Sequence, residues 1–203
     1  MKFLELNKEN IIAKGGERNC YLHPLDNKKL IKIIHAKGKH GNQNKLEQIY
    51  MSYLNKNQID LSHIAKYYGE VDTNIGTGLI YEKIMDYDNK ETKSLRYYVA
   101  KNQLPNNIDN LIDNLKLYLE KNNILFVDNG LINIFCQKIT KDKYKLVIID
   151  GLGAKRFGLK FWFYMHSKIY TRYKIKKQWI KFIKTYKKDI ERAKLGINPI
   201  TRY

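Results

Sequence analysis

The run Leu30-Ile31-Lys32-Ile33-Ile34 constrains this chain most, because it sets a lysine in the middle of an apolar strand. Successive side chains on a strand point to opposite faces, so Lys32 faces away from Ile31 and Ile33. Where both faces are covered, the ammonium needs an anionic partner from another element, since an unpaired buried charge is too costly. Glu47, one step from the apolar face of a predicted helix, is the candidate. The alternative for both residues is the commoner one, a solvated surface charge.

The surrounding pattern supplies the other elements. Ile11-Ile12-Ala13 leads through Lys14-Gly15-Gly16-Glu17 into Asn19-Cys20-Tyr21-Leu22, and Pro24-Leu25-Asp26-Asn27 turns the chain into the Lys32 strand. This reads as a glycine-tipped hairpin followed by a third strand. A Gly- and Lys-rich loop over 35–44 precedes a helix over about 45–54, with Leu46, Ile49, Tyr50, Tyr53 and Leu54 on one face. Strands follow at 65–68 and 78–81, the second running on into Glu82-Lys83-Ile84. Ile108, Leu111, Ile112, Leu115 and Leu119 make the stripe of a helix over 106–122, capped by Asn106 or Asn107. Beyond Ile124-Leu125-Phe126-Val127 come an Asp128-Asn129-Gly130 turn, Ile134-Phe135-Cys136, and an apolar run over 144–149 ending at Asp150-Gly151. Ile175, Trp179, Phe182, Ile183, Tyr186, Ile190 and Ala193 form a last helical stripe, stopped by Gly196. The order predicts an α+β fold.

Charge separates function classes. Lys and Arg number 38 against 20 Asp and Glu, a net +18, and residues 155–203 hold 15 basic and two acidic residues, +13 of that excess. Such a field attracts nucleotides, phosphorylated lipids or glycans, and nucleic acid. Lysine bias from an AT-rich genome accounts for the total better than for the asymmetry. No apolar run is long enough to span a bilayer, and residues 1–10 mix charges into apolar positions, unlike a signal peptide. With only Cys20 and Cys136 and no CxxC pair, the expectation is a reducing, cytoplasmic setting. The aromatic run Phe161-Trp162-Phe163-Tyr164 reads as core; its lysine neighbours leave open peripheral contact with an anionic inner-membrane face.

Phosphoryl transfer needs a cation on the nucleotide phosphates, oxygen ligands for Mg²⁺, and a carboxylate to orient the acceptor hydroxyl. Lys32 supplies the first. The hairpin tip Gly15-Gly16 lets backbone N–H groups approach phosphates, although any tight turn also favours glycine. Asp128 and Asn133 stand at the two ends of a loop between apolar runs, and Asp150 ends a third run, as a base and two metal ligands would. Each is equally compatible with ordinary turn chemistry.

The segments Asn19-Cys20-Tyr21-Leu22-His23-Pro24-Leu25-Asp26, Ile31-Lys32-Ile33-Ile34, Gly76-Thr77-Gly78-Leu79-Ile80-Tyr81 and Asn133-Ile134-Phe135-Cys136, with Asp150 after them, resemble the PhoP regulatory network protein family, the YrbL-like proteins. That family is related to protein kinases. The resemblance implies a small two-lobed kinase-like fold, with residues 1–84 as a sheet-and-helix lobe and 85–203 as a reduced, mainly helical one. It further implies that Lys32 binds phosphate and pairs with Glu47, and that Glu82, Lys83 and Ile84 form the hinge under adenine. Asp128 would be the catalytic aspartate, and Asn133 and Asp150 the metal ligands. The flanks depart from the kinase pattern: Phe126-Val127 replaces the usual His-Arg, Gly130 the usual lysine, and Gly151-Leu152-Gly153 follows the metal aspartate.

The expectation is therefore an ATP- and Mg²⁺-dependent phosphotransferase. About fifty residues follow Asp150, too few for a protein-substrate platform, so the expected acceptor is a small molecule, glycan or lipid-linked compound, acidic enough to meet the basic C-terminal helix. The altered loop at Asp128 motivates an alternative, a degenerate kinase-like regulator that binds nucleotide without turnover. A nucleic-acid-binding protein is the third reading, and no recognised motif supports it.

Overall fold

In the computed structural model, residues 3–35 and 43–199 are described. Most of the expected 35–44 loop lies outside them. Five antiparallel strands form the first sheet: β1 (Ile11–Lys14), β2 (Arg18–His23), β3 (Asp26–Ile34), β4 (Tyr67–Thr73) and β5 (Gly76–Glu82), in the order β1-β2-β3-β5-β4. Helix α1 (Gln43–Lys56) is inserted between β3 and β4. The first three strands fall where the apolar runs put them. β4 starts two residues later than expected and runs on through Gly69 to Thr73, because Val71 and Thr73 alternate inward across polar neighbours.

The sheet buries different partners on its two faces. Ile31, Ile33, Tyr21 and Val71 pack under the N-terminal segment, where Leu4 and Leu6 complete a small cluster. That segment is pinned by Leu4 N–H donating to Asp72 O at 3.0 Å and by Asn74, which exchanges two bonds with Leu6. The opposite face, carrying Leu79 and Tyr81, joins Leu46, Tyr50, Met51 and Leu54 of α1 in the main core. Strand alternation sends Lys32 to this second face, toward α1.

The remaining chain is mostly helical. α2 (Leu95–Ala100), absent from the sequence expectation, is capped by Ser94 and too short for a periodic stripe. α3 (Ile108–Asn122) uses the predicted stripe; Asn107 is its cap residue but makes no side-chain capping bond, and Asn123 ends it in the left-handed region. A second sheet pairs β6 (Ile134–Lys138) with β7 (Tyr144–Ile148). The C-terminal part folds as α4 (Leu159–His166) and α5 (Lys168–Lys194), separated at Ser167, whose hydroxyl accepts from Tyr170 N–H to start α5. Ile175, Trp179, Phe182 and Tyr186 are the face of α5 that enters the core. Among the described residues no helix is long and apolar enough to cross a membrane.

Candidate functional site

Lys32 is buried, and its ammonium lies 3.1 Å from Glu47 Oε1, 2.9 Å from the Ile149 carbonyl and 3.6 Å from Asp150 Oδ1. It also sits 4.4 Å from the centre of the Tyr81 ring. The position follows from register: Lys32 pairs with Leu79, so Tyr81 is its diagonal neighbour on the same face. Glu47 is buried on α1 one turn before Tyr50.

Arg18, at the start of β2, supplies a second cation that the sequence reading overlooked. Its guanidinium donates to Glu47 Oε2 through one nitrogen and to Asp150 Oδ1 through the other, at 2.5 Å. Cys20 lies directly opposite Lys32, so Arg18, two residues earlier, shares the face of Lys32. That register was the available signal. Asn44 ties the group to β3 by donating to Lys32 O at 3.1 Å. Two cations and two carboxylates thus close a neutral, largely buried cluster.

The pairing shifts both acids. Burial alone would raise Glu47, but Arg18 and Lys32 outweigh it and hold its carboxyl below the usual range. Asp150 behaves alike: burial opposes ionisation, while Arg18, Lys32 and the Gly151 N–H lower its pKa far below the ordinary value. Burial and the Glu47 charge keep the Tyr81 phenol protonated.

The β6–β7 pairing assembles the rest. With Ile134 opposite Ile148, Asn133 and Ile149 stand side by side at the open end, and Ile149 N–H donates to Asn133 O at 3.0 Å. Asp150 is the next residue. The amides of Val127 and Asp128 both donate to Gly151 O, at 2.9 and 3.0 Å, which brings the Asp128 loop against this end. Gly151 has φ +84°, and a Cβ there would stand 2.7 Å from Asp128 O, so only glycine fits. Asn133 Nδ2 donates to Asp128 O at 2.8 Å and to Asp128 Oδ2 at 3.2 Å. Lys155 reaches Asp128 Oδ1 at 3.2 Å; both side chains are more than half exposed, so this pair is worth under about 1 kcal/mol.

Tyr50 braces the two halves of the site. Its hydroxyl accepts Leu125 N–H at 2.9 Å, Gly153 N–H donates to Leu125 O at 2.8 Å, and a Cβ on Gly153 would meet the Tyr50 ring at 2.8 Å.

The other expected site residues stand apart from this cluster. Gly15 closes the β1–β2 turn by donating to Arg18 O at 2.8 Å, while Gly16 projects at the open tip. Glu82 and Lys83 donate their amides to Lys66 O and Lys28 O as β5 ends. Glu82 and Ile84 line a cavity of about 630 Å³ with Ile59, Leu61, Tyr67 and Val147, which neither Lys32 nor Asp150 reaches. Among the described residues, no three His, Cys, Asp or Glu side chains gather as a metal site.

A family model described as PhoP regulatory network protein YrbL matches residues 4–187. The chain belongs to this family. It is similar to the uncharacterized protein YrbL of Escherichia coli (strain K12), 30% identical over 154 residues that cover 74% of this chain and 73% of the relative. The uncharacterized protein YrbL of Shigella flexneri matches with the same figures. The matched residues include β2 with Arg18, α1 with Glu47 and the β6–β7 end with Asp150.

Proposed function

We propose that this YrbL-family chain is an ATP- and Mg²⁺-dependent phosphotransferase of kinase-like, two-lobed architecture. Residues 1–84 would hold the phosphates and a reduced, mainly helical 85–203 part would hold the acceptor. The observation that carries this reading is the Lys32–Glu47 pair set beside the Asp150 carboxylate. A strand lysine held by a helix glutamate next to a metal-binding aspartate is the arrangement phosphoryl transfer uses to grip a nucleotide.

In this reading Lys32 binds the phosphates and Glu47 fixes its position. The Asp150 carboxylate and the Asn133 amide oxygen are hard donors of the kind Mg²⁺ takes, with the nucleotide completing the shell. The bound ion would neutralise phosphate charge. Asn133 has committed its amide nitrogen to Asp128, which leaves the oxygen as its donor. The Asp128 carboxylate, which meets an exposed lysine and the Asn133 amide, would receive the proton of the acceptor hydroxyl. Arg18 neutralises Glu47 and Asp150 and would pass to phosphate oxygens when the nucleotide binds. Gly15 and Gly16 would cover the phosphates, and Glu82, Lys83 and Ile84 the adenine. An acidic acceptor, such as a phosphorylated glycan or lipid precursor, suits the cationic α5.

A second reading has its own observation. Because Arg18 already completes the charge of Asp150, the cluster is closed without a metal ion, as in a nucleotide-binding regulator that does not turn over. Asp150→Ala separates the two. Loss of phosphate transfer from ATP in a variant whose fold is intact supports the enzyme, and normal turnover would refute the assignment of Asp150. ATP-dependent thermal stabilisation with no hydrolysis across a panel of acceptors would establish the regulator.

A further inference from the structure

α4 presents its apolar residues to solvent. Phe161 and Tyr164 enter the core, while Leu159, Trp162, Phe163 and His166 recur at i, i+3, i+4 and i+7 on the outward face. Leu159 is 79% exposed and Trp162 51%, with Trp162 stacked on His166. Phe163 packs on Tyr170 at 5.7 Å and so carries this face onto α5. There Ile169, 84% exposed, and Tyr173 follow one turn apart. Phe157 adds an exposed ring just before α4. Among the described residues nothing covers this water-facing surface of aromatic and aliphatic side chains at helical spacing.

The charge around it is one-sided. Residues 151–188 contain twelve Lys and Arg and no Asp or Glu. Lys155, Arg156, Lys160, Lys168 and Arg172 flank the apolar residues and are exposed. Partial burial, and then the like charges of Lys177, Lys181 and Lys160, depress the Lys174 ammonium below its ordinary value.

We infer that α4 and the first turns of α5 dock on the surface of an anionic lipid bilayer. Leu, Phe and Trp enter the headgroup–acyl boundary, and the flanking lysines and arginines meet the lipid phosphates. Charge complementarity selects an anionic partner, and the apolar stripe selects a bilayer over nucleic acid. Leu159 and Ile169 offer no ring for a base to stack on, and phosphate recognition gains nothing from burying them. Docking here needs no turnover at Asp150. Its position does bring the membrane beside the acceptor side of the site, because Lys155, at the edge of this face, pairs with Asp128.

The full chain is mixed with vesicles of phosphatidylcholine, with or without phosphatidylglycerol, and sedimented. Sedimentation is expected with the anionic vesicles and at least about tenfold weaker with neutral ones. Leu159→Glu with Ile169→Glu, both at exposed positions, should weaken binding about tenfold or more while leaving the melting temperature unchanged. Trp162 emission should shift to the blue on vesicle binding in a Trp179→Phe background. The shift should vanish in Trp162→Phe, which retains only the buried Trp179. No binding to anionic vesicles at low salt would overturn docking. So would binding unaffected by the double substitution, or an equal Trp162 shift on adding single-stranded RNA.

Discussion

Removing Arg18 tests whether the buried cluster is held by charge balance. Arg18→Met keeps the aliphatic stem and deletes the guanidinium, leaving Lys32 alone against Glu47 and Asp150. The side chains of Arg18, Lys32 and Glu47 are 13%, 6% and 11% exposed, so the excess negative charge stays largely out of water. Breaking a buried pair by deleting one partner costs about 3–5 kcal/mol, and Asp150, the most exposed member, places this case near the lower end. For a chain of this size, about 3 kcal/mol corresponds to a fall in Tm of about 6–12 °C. Glu47→Gln should cost a comparable amount with the opposite sign of excess charge. The double variant restores neutrality, with Lys32 facing Asp150. Its loss should therefore fall short of the sum by about 1–3 kcal/mol, the size of coupling found between contacting residues. Urea unfolding followed by circular dichroism measures all four proteins. Strict additivity, or an Arg18→Met protein as stable as the parent, would refute the balance.

Three further outcomes follow from the same geometry. Glu47 and Asp150 have folded-state pKa values below their unfolded ones, so their contribution is fully present above the ordinary carboxylate range and is lost as pH falls through the depressed values. Acid unfolding curves should steepen below about pH 4.5, and Glu47→Gln should flatten them. Tyr50→Phe leaves the Leu125 amide unsatisfied and should cost about 1–3 kcal/mol, read as a lower Tm. Gly151→Ala forces a side chain into φ +84° against Asp128 O and should cost about 1–3 kcal/mol or more, with displacement of the Asp128 loop visible in amide chemical shifts.

The parts of the site that the sequence made legible were those that violate a pattern. Lys32 interrupts an apolar run, and Glu47 stands beside an apolar helical face; such a breach implies a partner. Asn133 precedes and Asp150 follows apolar runs that prove to be paired strands, so their proximity follows once the β6–β7 register is known. Arg18 violated nothing. It leaves a glycine turn beside Glu17 and looks like any surface charge until the hairpin register sets it diagonal to Lys32. β4 extended past its predicted end because a strand that buries only alternate residues has little apolar run to read. α2 is too short to show helical periodicity. Aromatic composition does not say which side of a helix meets a neighbour: of the run Phe161-Trp162-Phe163-Tyr164, Phe161 and Tyr164 enter the core while Trp162 and Phe163 face solvent.

Tyr50 also bears on how this site can move. Its hydroxyl holds the segment before Asp128 and its ring sits under Gly153, while Glu47, one turn away, holds Arg18 and Lys32. α1 is therefore tied to both halves of the site: tilting it outward would uncover the Leu125 amide and break the Glu47 pairs in a single event. The amides of Leu125 and Gly153 should then exchange with solvent deuterium at one common rate, as members of one cooperative opening unit. That rate would report every excursion of α1, whether or not a nucleotide is bound.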